Sequence, residues 1–432
     1  MVATEILDHI CGIDYYATDR DLYISADWTG IDDFIVEEIL EDGTILSLEK
    51  PYLPHSGLPG LFTHFVLIKR NVDTFTVIRE LSKKLGVPES WIFFSGMKDK
   101  EAITVQRGCI FGIRPSKIIS ISLKNVTIKN PIRELRRVHI GQHLGNHFIV
   151  YFHNVIGDVS RIIKVIASSA IPNFFGHQRF GLWKPITHIS GKMLVQREYL
   201  DALLLFLREI NPLFRNRKEL MEYLESGDYR SALRLLPRDS FYYERIILRL
   251  LNKGFSPGTI LKRLSSTFVR ITIESYQSFL FNLTLNKIFE STTTIPKKIP
   301  IIGHRFNFLN VDPNLKEQIN DILSAEDISF SDFKNKLFPK TIASGGWRKS
   351  KIKLENISYQ HVSKNTFRVE FSLPKGSFAT VIIREITKKN FLFLIFKRKY
   401  GLDIQKYIDL MLIYYERIRR RYFDNMHLKS FR

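Results

Sequence analysis

The sequence predicts an α+β fold in two domains. Strand-like runs and helical runs are both present, but they do not alternate as regular βαβ units. At 432 residues the chain also exceeds what one hydrophobic core usually organises. Finally, the pattern changes character after about residue 185, from mixed to mostly helical.

The elements follow in order. Leu22-Tyr23-Ile24 is a weak strand, and Phe34, Val36 and Ile39 mark a strand that leads through Gly43 to a second one at Thr44–Leu48. Phe62–Lys69 reads as a strand. Phe75, Ile78, Leu81 and Leu85 have helical spacing and stop at Gly86, which predicts a helix from Thr74 to Leu85. Residues 103–112, 118–127 and 147–153 read as strands, and Val159–Ala170 as a helix. From Ile189 to Leu264 the apolar spacing is helical, and Ser275–Ile288 is another helix. Strand-like runs return at 299–310, 366–372 and 378–384. Tyr407–Arg421 is helical and ends in Arg417, Arg419, Arg420 and Arg421, either a solvated helix end or an RNA-contacting arm.

Composition narrows the partners. Lys plus Arg number 64 against 44 acidic residues, a net charge of +20 and a pI near 9.7, which points to a polyanion, nucleic acid first. Two cysteines, Cys11 and Cys109, are too few for a four-thiolate zinc site or a secreted disulfide scaffold. No signal peptide is visible, and the apolar run near Phe391–Phe396 is too short to span a bilayer, so a cytoplasmic protein without membrane contact is expected.

The most informative segment is Ser95-Gly96-Met97-Lys98-Asp99-Lys100-Glu101-Ala102-Ile103-Thr104-Val105-Gln106. Gly96 permits a turn, and Asp99 sits between Lys98 and Lys100, which favour its ionised form. An ionised carboxylate on a turn amid positive charge suits a base or nucleophile that acts on a polyanion. The alternative is a solvated Lys-Asp-Lys turn.

The segment resembles Gly-(Leu/Met)-Lys-Asp-(Arg/Lys)-x-Ala-x-Thr-x-Gln, which carries the catalytic aspartate of the TruD-type pseudouridine synthases. Further matches follow in the family's order. They are Asp33-Phe34-Ile35-Val36-Glu37-Glu38, Gly145-Asn146-His147-Phe148, Pro172-Asn173-Phe174-Phe175-Gly176-His177-Gln178-Arg179-Phe180-Gly181, the weaker Ser275–Asn282, and Leu373-Pro374-Lys375-Gly376-Ser377-Phe378-Ala379-Thr380-Val381 with Arg384-Glu385. Together they span residues 30 to 385 and resemble the archaeal and eukaryotic branch most. The resemblance implies a pseudouridine synthase core with a mixed, mainly antiparallel sheet (1–154 and 366–432) and an inserted α+β domain (155–365). It implies isomerisation of a tRNA uridine, usually uridine 13, without cofactor or metal. Other RNAs are open as substrates, and a monomer is favoured.

Residue by residue, the resemblance makes Asp99 the catalytic carboxylate and Phe148 the ring that stacks on a flipped base. Asn146 would hold Asp99 or the uracil edge. Arg384, then Arg179, are candidates for a basic partner or a phosphate contact, and Lys98 is the cation nearest Asp99 in sequence. One departure stands out: family members commonly carry a Lys six residues before Phe34, where this chain has Trp28.

Two patterns lead elsewhere. His139, His143 and His147 are spaced by four, but Gly141 and Gly145 interrupt any helix that would align them on a metal. Gly345–Ser350 lacks the first glycine of a phosphate loop. The rival functions are a non-catalytic RNA-binding protein or tRNA chaperone on the same fold and, more distantly, a glycoside hydrolase. The latter ordinarily needs a second catalytic carboxylate.

Overall fold

The computed structural model describes residues 3–49, 59–98, 100–181, 184–210, 214–238, 241–291, 294–308, 311–335, 337–338, 342–352, 354–388 and 404–424. Asp99 lies outside the described residues, although both of its neighbours lie inside. The chain forms two compact units: Thr18–Ile171 with Ile352–Gly401, and Met1–Ala17, Pro172–Lys351 and Leu402–Arg432. The expected division differs from these units at the termini, both of which cluster with most of the insert, and at the insert's edges, since residues 155–171 and 352–365 fall in the sheet unit. Within that unit the helix Ala3–Ile10 packs on the helix Ile404–Arg419. The Cys11 and Gly12 carbonyls accept from the amides of Asn282 and Asn286 at 2.9 and 3.1 Å.

The first unit is built on a nine-stranded sheet. Its strands are β1 (Ser25–Asp27), β2 (Phe34–Ile39), β3 (Phe62–Arg70), β4 (Ile92–Phe94), β5 (Ile103–Phe111), β6 (Val126–Glu134), β7 (Gly145–Ile156), β8 (Glu355–Ser363) and β9 (Thr366–Pro374). The order is β8-β9-β7-β2-β5-β3-β6, with β1 on β7 and β4 on β5. The β2–β5 pair is parallel and the others are antiparallel, so the sheet is mixed and mainly antiparallel.

Register decides which side chains meet, because alternate residues of a strand point to opposite faces. Val36 pairs with Phe148 and Glu38 with Asn146 across β2 and β7. Phe371 and Leu373 of β9 continue those rows. Thr104 and Gln106 of β5, then Lys69 and Leu67 of β3, lie on the same face. One end of this face is closed by the helix Thr74–Leu85, whose Val77, Leu81 and Leu85 pack on Phe65, Leu67, Phe94 and Ile110. The Asp73 carboxylate caps that helix by accepting from Thr76 N at 2.9 Å, and Gly86 ends it in the left-handed conformation (φ 68°). Both boundaries match the sequence expectation.

Five expectations need correction. Leu22-Tyr23-Ile24 is not a strand; the strand that follows it is Ser25–Asp27. Residues 378–384 are not a strand: Ala379–Thr387 is a helix, with every residue buried. An apolar β-branched run buried all round has no face to reveal its period. Residues 118–127 do not form one strand: a helix Pro115–Ile119 is followed by a turn at Asn125 (φ 61°) and then β6. Thr44–Leu48 contributes a single bridge, Ile39 to Ile45. Among the described residues of the 299–310 stretch, only 299–301 are extended, as part of a strand Lys298–Ile301 paired with Gly346–Lys349.

The second unit is mostly helical, as the spacing of residues 189–264 predicts. Its central helix, Ser266–Ser291, is buried around most of its circumference. The basic tail is largely ion-paired within the unit: Arg417 binds Glu209 at 2.7 Å and Arg421 binds it at 3.4 Å. Glu209 has no exposed surface. Arg419 and Arg420 bind Glu416 at 2.7 and 3.2 Å, and these bonds, Arg419 first, hold the Glu416 carboxyl down at about 2. No helix among the described residues is long and apolar enough to cross a membrane.

Candidate active site

The site is assembled around Glu38, which is fully buried on β2. A carboxylate stripped of water is strongly disfavoured unless charge and hydrogen bonds replace it. Three groups do so here. Lys98 Nζ lies 3.2 Å from Oε2, the Ser95 hydroxyl donates to the same oxygen, and the Arg107 backbone N–H donates to Oε1 at 3.2 Å. Lys98 Nζ also donates to Asn146 Oδ1 at 2.8 Å. One buried ammonium thus joins the 95–106 motif, the 33–38 motif and the 145–148 motif.

The turn before Asp99 is bolted to the sheet by groups distant in sequence. Gly141 N donates to the Ser95 carbonyl at 2.6 Å, and Gln106 Nε2 to the Gly96 carbonyl at 3.2 Å. Lys98 N donates to Thr74 Oγ1 at 3.4 Å, and Lys69 Nζ to the Lys98 carbonyl at 3.2 Å. Gly96 does not use a positive φ. Its constraint is packing, since a Cβ there would stand 3.3 Å from His143 Cε1. Burial, then the Lys98 charge, lower the His143 pKa, with Glu38 opposing. Its Nδ1 is buried without a hydrogen-bond partner.

Phe148 is 6% exposed and stands in a row of rings on the same face. Phe34 is stacked on one side at 5.9 Å and Phe371 on the other at 5.5 Å. Trp28 extends the row by packing on Phe34 at 5.6 Å, and its indole N–H donates to the Gly30 carbonyl. In this state both faces of Phe148 are taken by neighbours.

The other sequence candidates are placed differently. Arg384 is buried in the helix Ala379–Thr387, with its guanidinium 3.9 Å from Glu385. Arg179 belongs to the second unit, where it binds Glu274 at 3.0 Å and Ser278 Oγ at 3.1 Å. Arg348, in the same unit, lies 4.1 Å over the Phe175 ring and donates to Asn173 Oδ1 at 2.7 Å. Burial, with Arg179 nearby, pushes the Arg348 guanidinium down to about 9. The 172–181 and 275–282 segments are tied together by Asn282 Oδ1, which accepts from Phe175 N at 2.9 Å, and by Ser275 Oγ, which donates to the Arg179 carbonyl at 2.9 Å.

The spaced histidines do not converge. His147 points to the opposite face of β7 from Asn146, where it meets Ser372 at 3.0 Å and Glu370 at 3.2 Å. Asp33 holds the loop before β2, accepting from Thr29 Oγ1 at 2.9 Å and Gly30 N at 2.8 Å, and meets His153 Nε2 at 2.8 Å.

Sequence reasoning left Glu37 and Glu38 undecided and passed over Lys69. Strand parity carries the signal for both. Glu38 shares parity with Phe34 and Val36, and Lys69 shares it with the buried Phe65 and Leu67.

Comparison with known proteins agrees with this assembly of motifs. The family model described as tRNA pseudouridine synthase D (TruD) matches residues 10–300 and 294–386. This chain belongs to the TruD family. A relative in Pyrobaculum islandicum, named a probable tRNA pseudouridine synthase D, is 30% identical over 424 residues, covering 90% of this chain and 98% of its own. The relative of that name in Methanococcus vannielii is 29% identical, covering 82% and 93%. A crystal structure from Methanosarcina mazei, named as that of the putative tRNA pseudouridine synthase D (TruD), superposes with a TM-score of 0.67 at 25% identity, covering 90% of this chain and 99% of the other. The TruD family comprises pseudouridine synthases, which are isomerases, and the α+β fold is the one it uses.

Proposed function

We propose that this TruD-family protein isomerises a tRNA uridine, uridine 13 in the D-stem region, to pseudouridine, with Asp99 as the carboxylate that acts at the sugar. In that reaction the bond from C1′ to N1 breaks, the uracil turns, and C1′ joins C5. The proton on C5 is lost and N1 gains one, so atoms and electrons balance without ATP or a redox partner. An ionised carboxylate starts the reaction, either by attack at C1′ or by taking a ribose proton.

The observation that carries this reading is the Lys98 ammonium, bound to both Glu38 and Asn146. It supports the turn that leads into Asp99 and sets it against β7. We assign Asn146 to the uracil edge or to Asp99, and the row Phe34–Phe148–Phe371 to the apolar wall for the extruded base. Stacking on Phe148 itself then requires Phe34 or Phe371 to give up a ring face. RNA would be held by shape and phosphate contacts, in keeping with the net charge of +20.

The test is incubation of purified protein with unmodified tRNA, without added cofactor, and mapping of pseudouridine at single-nucleotide resolution beside Asp99→Ala. One site, lost in the variant while tRNA binding persists, is the expected result. Turnover by Asp99→Ala would remove Asp99 from the mechanism. Tight binding without product would favour a non-catalytic RNA-binding role or another RNA substrate.

A further inference from the structure

The helical unit carries a two-stranded ribbon, Lys298–Ile301 against Gly346–Lys349. Its register pairs Trp347 with Pro300 and Lys349 with Lys298. Side chains alternate between the two faces of a ribbon, so these four share one face. The other face carries Ile299, which has no exposed surface, and Arg348, whose guanidinium lies 4.1 Å over the Phe175 ring. Trp347 is 51% exposed, and Lys298 and Lys349 are both exposed. Like charges directly opposite on a ladder repel, which disfavours the pairing unless an anion lies against them. Residues 291–311 and 333–354, the segments that hold the two strands, contain ten Lys or Arg and no Asp or Glu, so the ribbon's own segments do not supply that anion. The flanking acids Asp312 and Asp332 cap helices, accepting from Leu315 N at 3.2 Å and Ser329 N at 2.7 Å.

The indole of Trp347 ends a braced row of rings. It lies 6.3 Å from Phe306, which stacks on Phe330 at 5.3 Å and meets Phe308 at 5.0 Å. Lys316 Nζ sits 5.2 Å over the Phe308 ring. The three phenylalanines are only partly buried. Exposed rings interleaved with cations suit an unpaired stretch of nucleic acid, whose bases stack on the rings while its phosphates pair with the cations.

We propose, resting on the reading of tRNA as the substrate, that the outer face of this ribbon is an RNA-contact site. An unpaired base stacks on Trp347, and the phosphates beside it lie on Lys298 and Lys349. Phe306 and Phe330 hold the indole in place. Every base has a π-face, so the site grips unpaired nucleotides without reading their sequence.

The experiment measures affinity for unmodified tRNA at stepped salt in wild type, Trp347→Ala, Trp347→Phe and the double variant Lys298→Gln with Lys349→Gln. Heparin serves as a polyanion without bases. Trp347→Ala should weaken tRNA binding about tenfold or more and leave heparin affinity within about twofold of wild type, and Trp347→Phe should recover most of the loss. The double lysine variant should weaken both ligands and reduce the salt slope for tRNA by about 1–2. Wild-type tRNA affinity in Trp347→Ala, or an equal loss on tRNA and heparin, overturns the stacking assignment. An unchanged salt slope in the double variant overturns the phosphate assignment. Wild-type protein that binds no tRNA overturns the reading beneath both. If Trp347→Ala does not fold, a protein with Trp28, Trp91 and Trp183 replaced by Phe reports on Trp347 alone. Quenching of its fluorescence by tRNA and not by heparin supports the proposal, and an equal response to the two ligands, or none, refutes it.

Discussion

Removing the Glu38 carboxylate tests the site and the fold together. In Glu38→Ala the Lys98 ammonium, whose side chain is 5% exposed, loses its ion pair at 3.2 Å. The Ser95 hydroxyl and the Arg107 N–H lose the same acceptor. Breaking one side of a buried pair costs about 3–5 kcal/mol, because the remaining charge stays desolvated. That is a large share of the roughly 5–15 kcal/mol that holds a domain together. The converse variant removes both charges: Glu38→Leu with Lys98→Met replaces the pair by apolar groups of similar length. Such replacements are often neutral or stabilising. The double variant should therefore recover most of the lost stability, with a coupling energy of about 2–3 kcal/mol between the two sites. Urea unfolding measures it, followed through the fluorescence of Trp28 and Trp91, both in the sheet unit, in a background where the other two tryptophans, Trp183 and Trp347, are replaced by Phe. The double variant should still be inactive on tRNA, because the turn has lost its bond to Asn146 Oδ1. A Glu38→Ala cost below about 1 kcal/mol would refute the buried-pair account.

Three further outcomes can be checked. Gly145→Ala should weaken the junction of β7 and β9 by about 1–3 kcal/mol, because the new Cβ would stand 2.1 Å from the Leu373 carbonyl oxygen; thermal melts with hydrogen exchange at Asn146 would show it. Burial pushes the His188 pKa from 6.5 down to about 3, so between those values the unfolded chain holds a proton that the folded one refuses. Stability from His188 is fully present above pH 6.5 and falls by up to about 1.4 kcal/mol per pH unit on acidification, and His188→Leu should flatten that slope in denaturant titrations at stepped pH. Arg417→Ala removes a 2.7 Å bond to the buried Glu209 and should cost about 1–3 kcal/mol of stability, while the salt dependence of tRNA binding stays that of wild type. A reduced salt slope would instead place Arg417 on RNA.

What the sequence determined by itself was whatever depends on neighbours along the chain. The helix Thr74–Leu85 was legible because its apolar spacing, its capping Asp73 and its terminal Gly86 all act within a few residues. The strands β2, β3, β5 and β7 were legible to within a few residues, and the ordered motifs identified the family. The helix Ala379–Thr387 was misread because complete burial erases the polar stripe that reveals a helical period. The fate of the tail arginines depended on Glu209, some two hundred positions away and invisible to local reading. Only the tertiary structure chose Glu38 over Glu37, because the register of β2 on β7 puts Glu38 opposite Asn146 and turns Glu37 to the other face. The pairing of β3 with β5 put Lys69 opposite Thr104, where its Nζ reaches the Lys98 carbonyl. A buried charge is tolerated only where the fold brings compensating groups to it, and those groups come from strands that the sequence holds far apart.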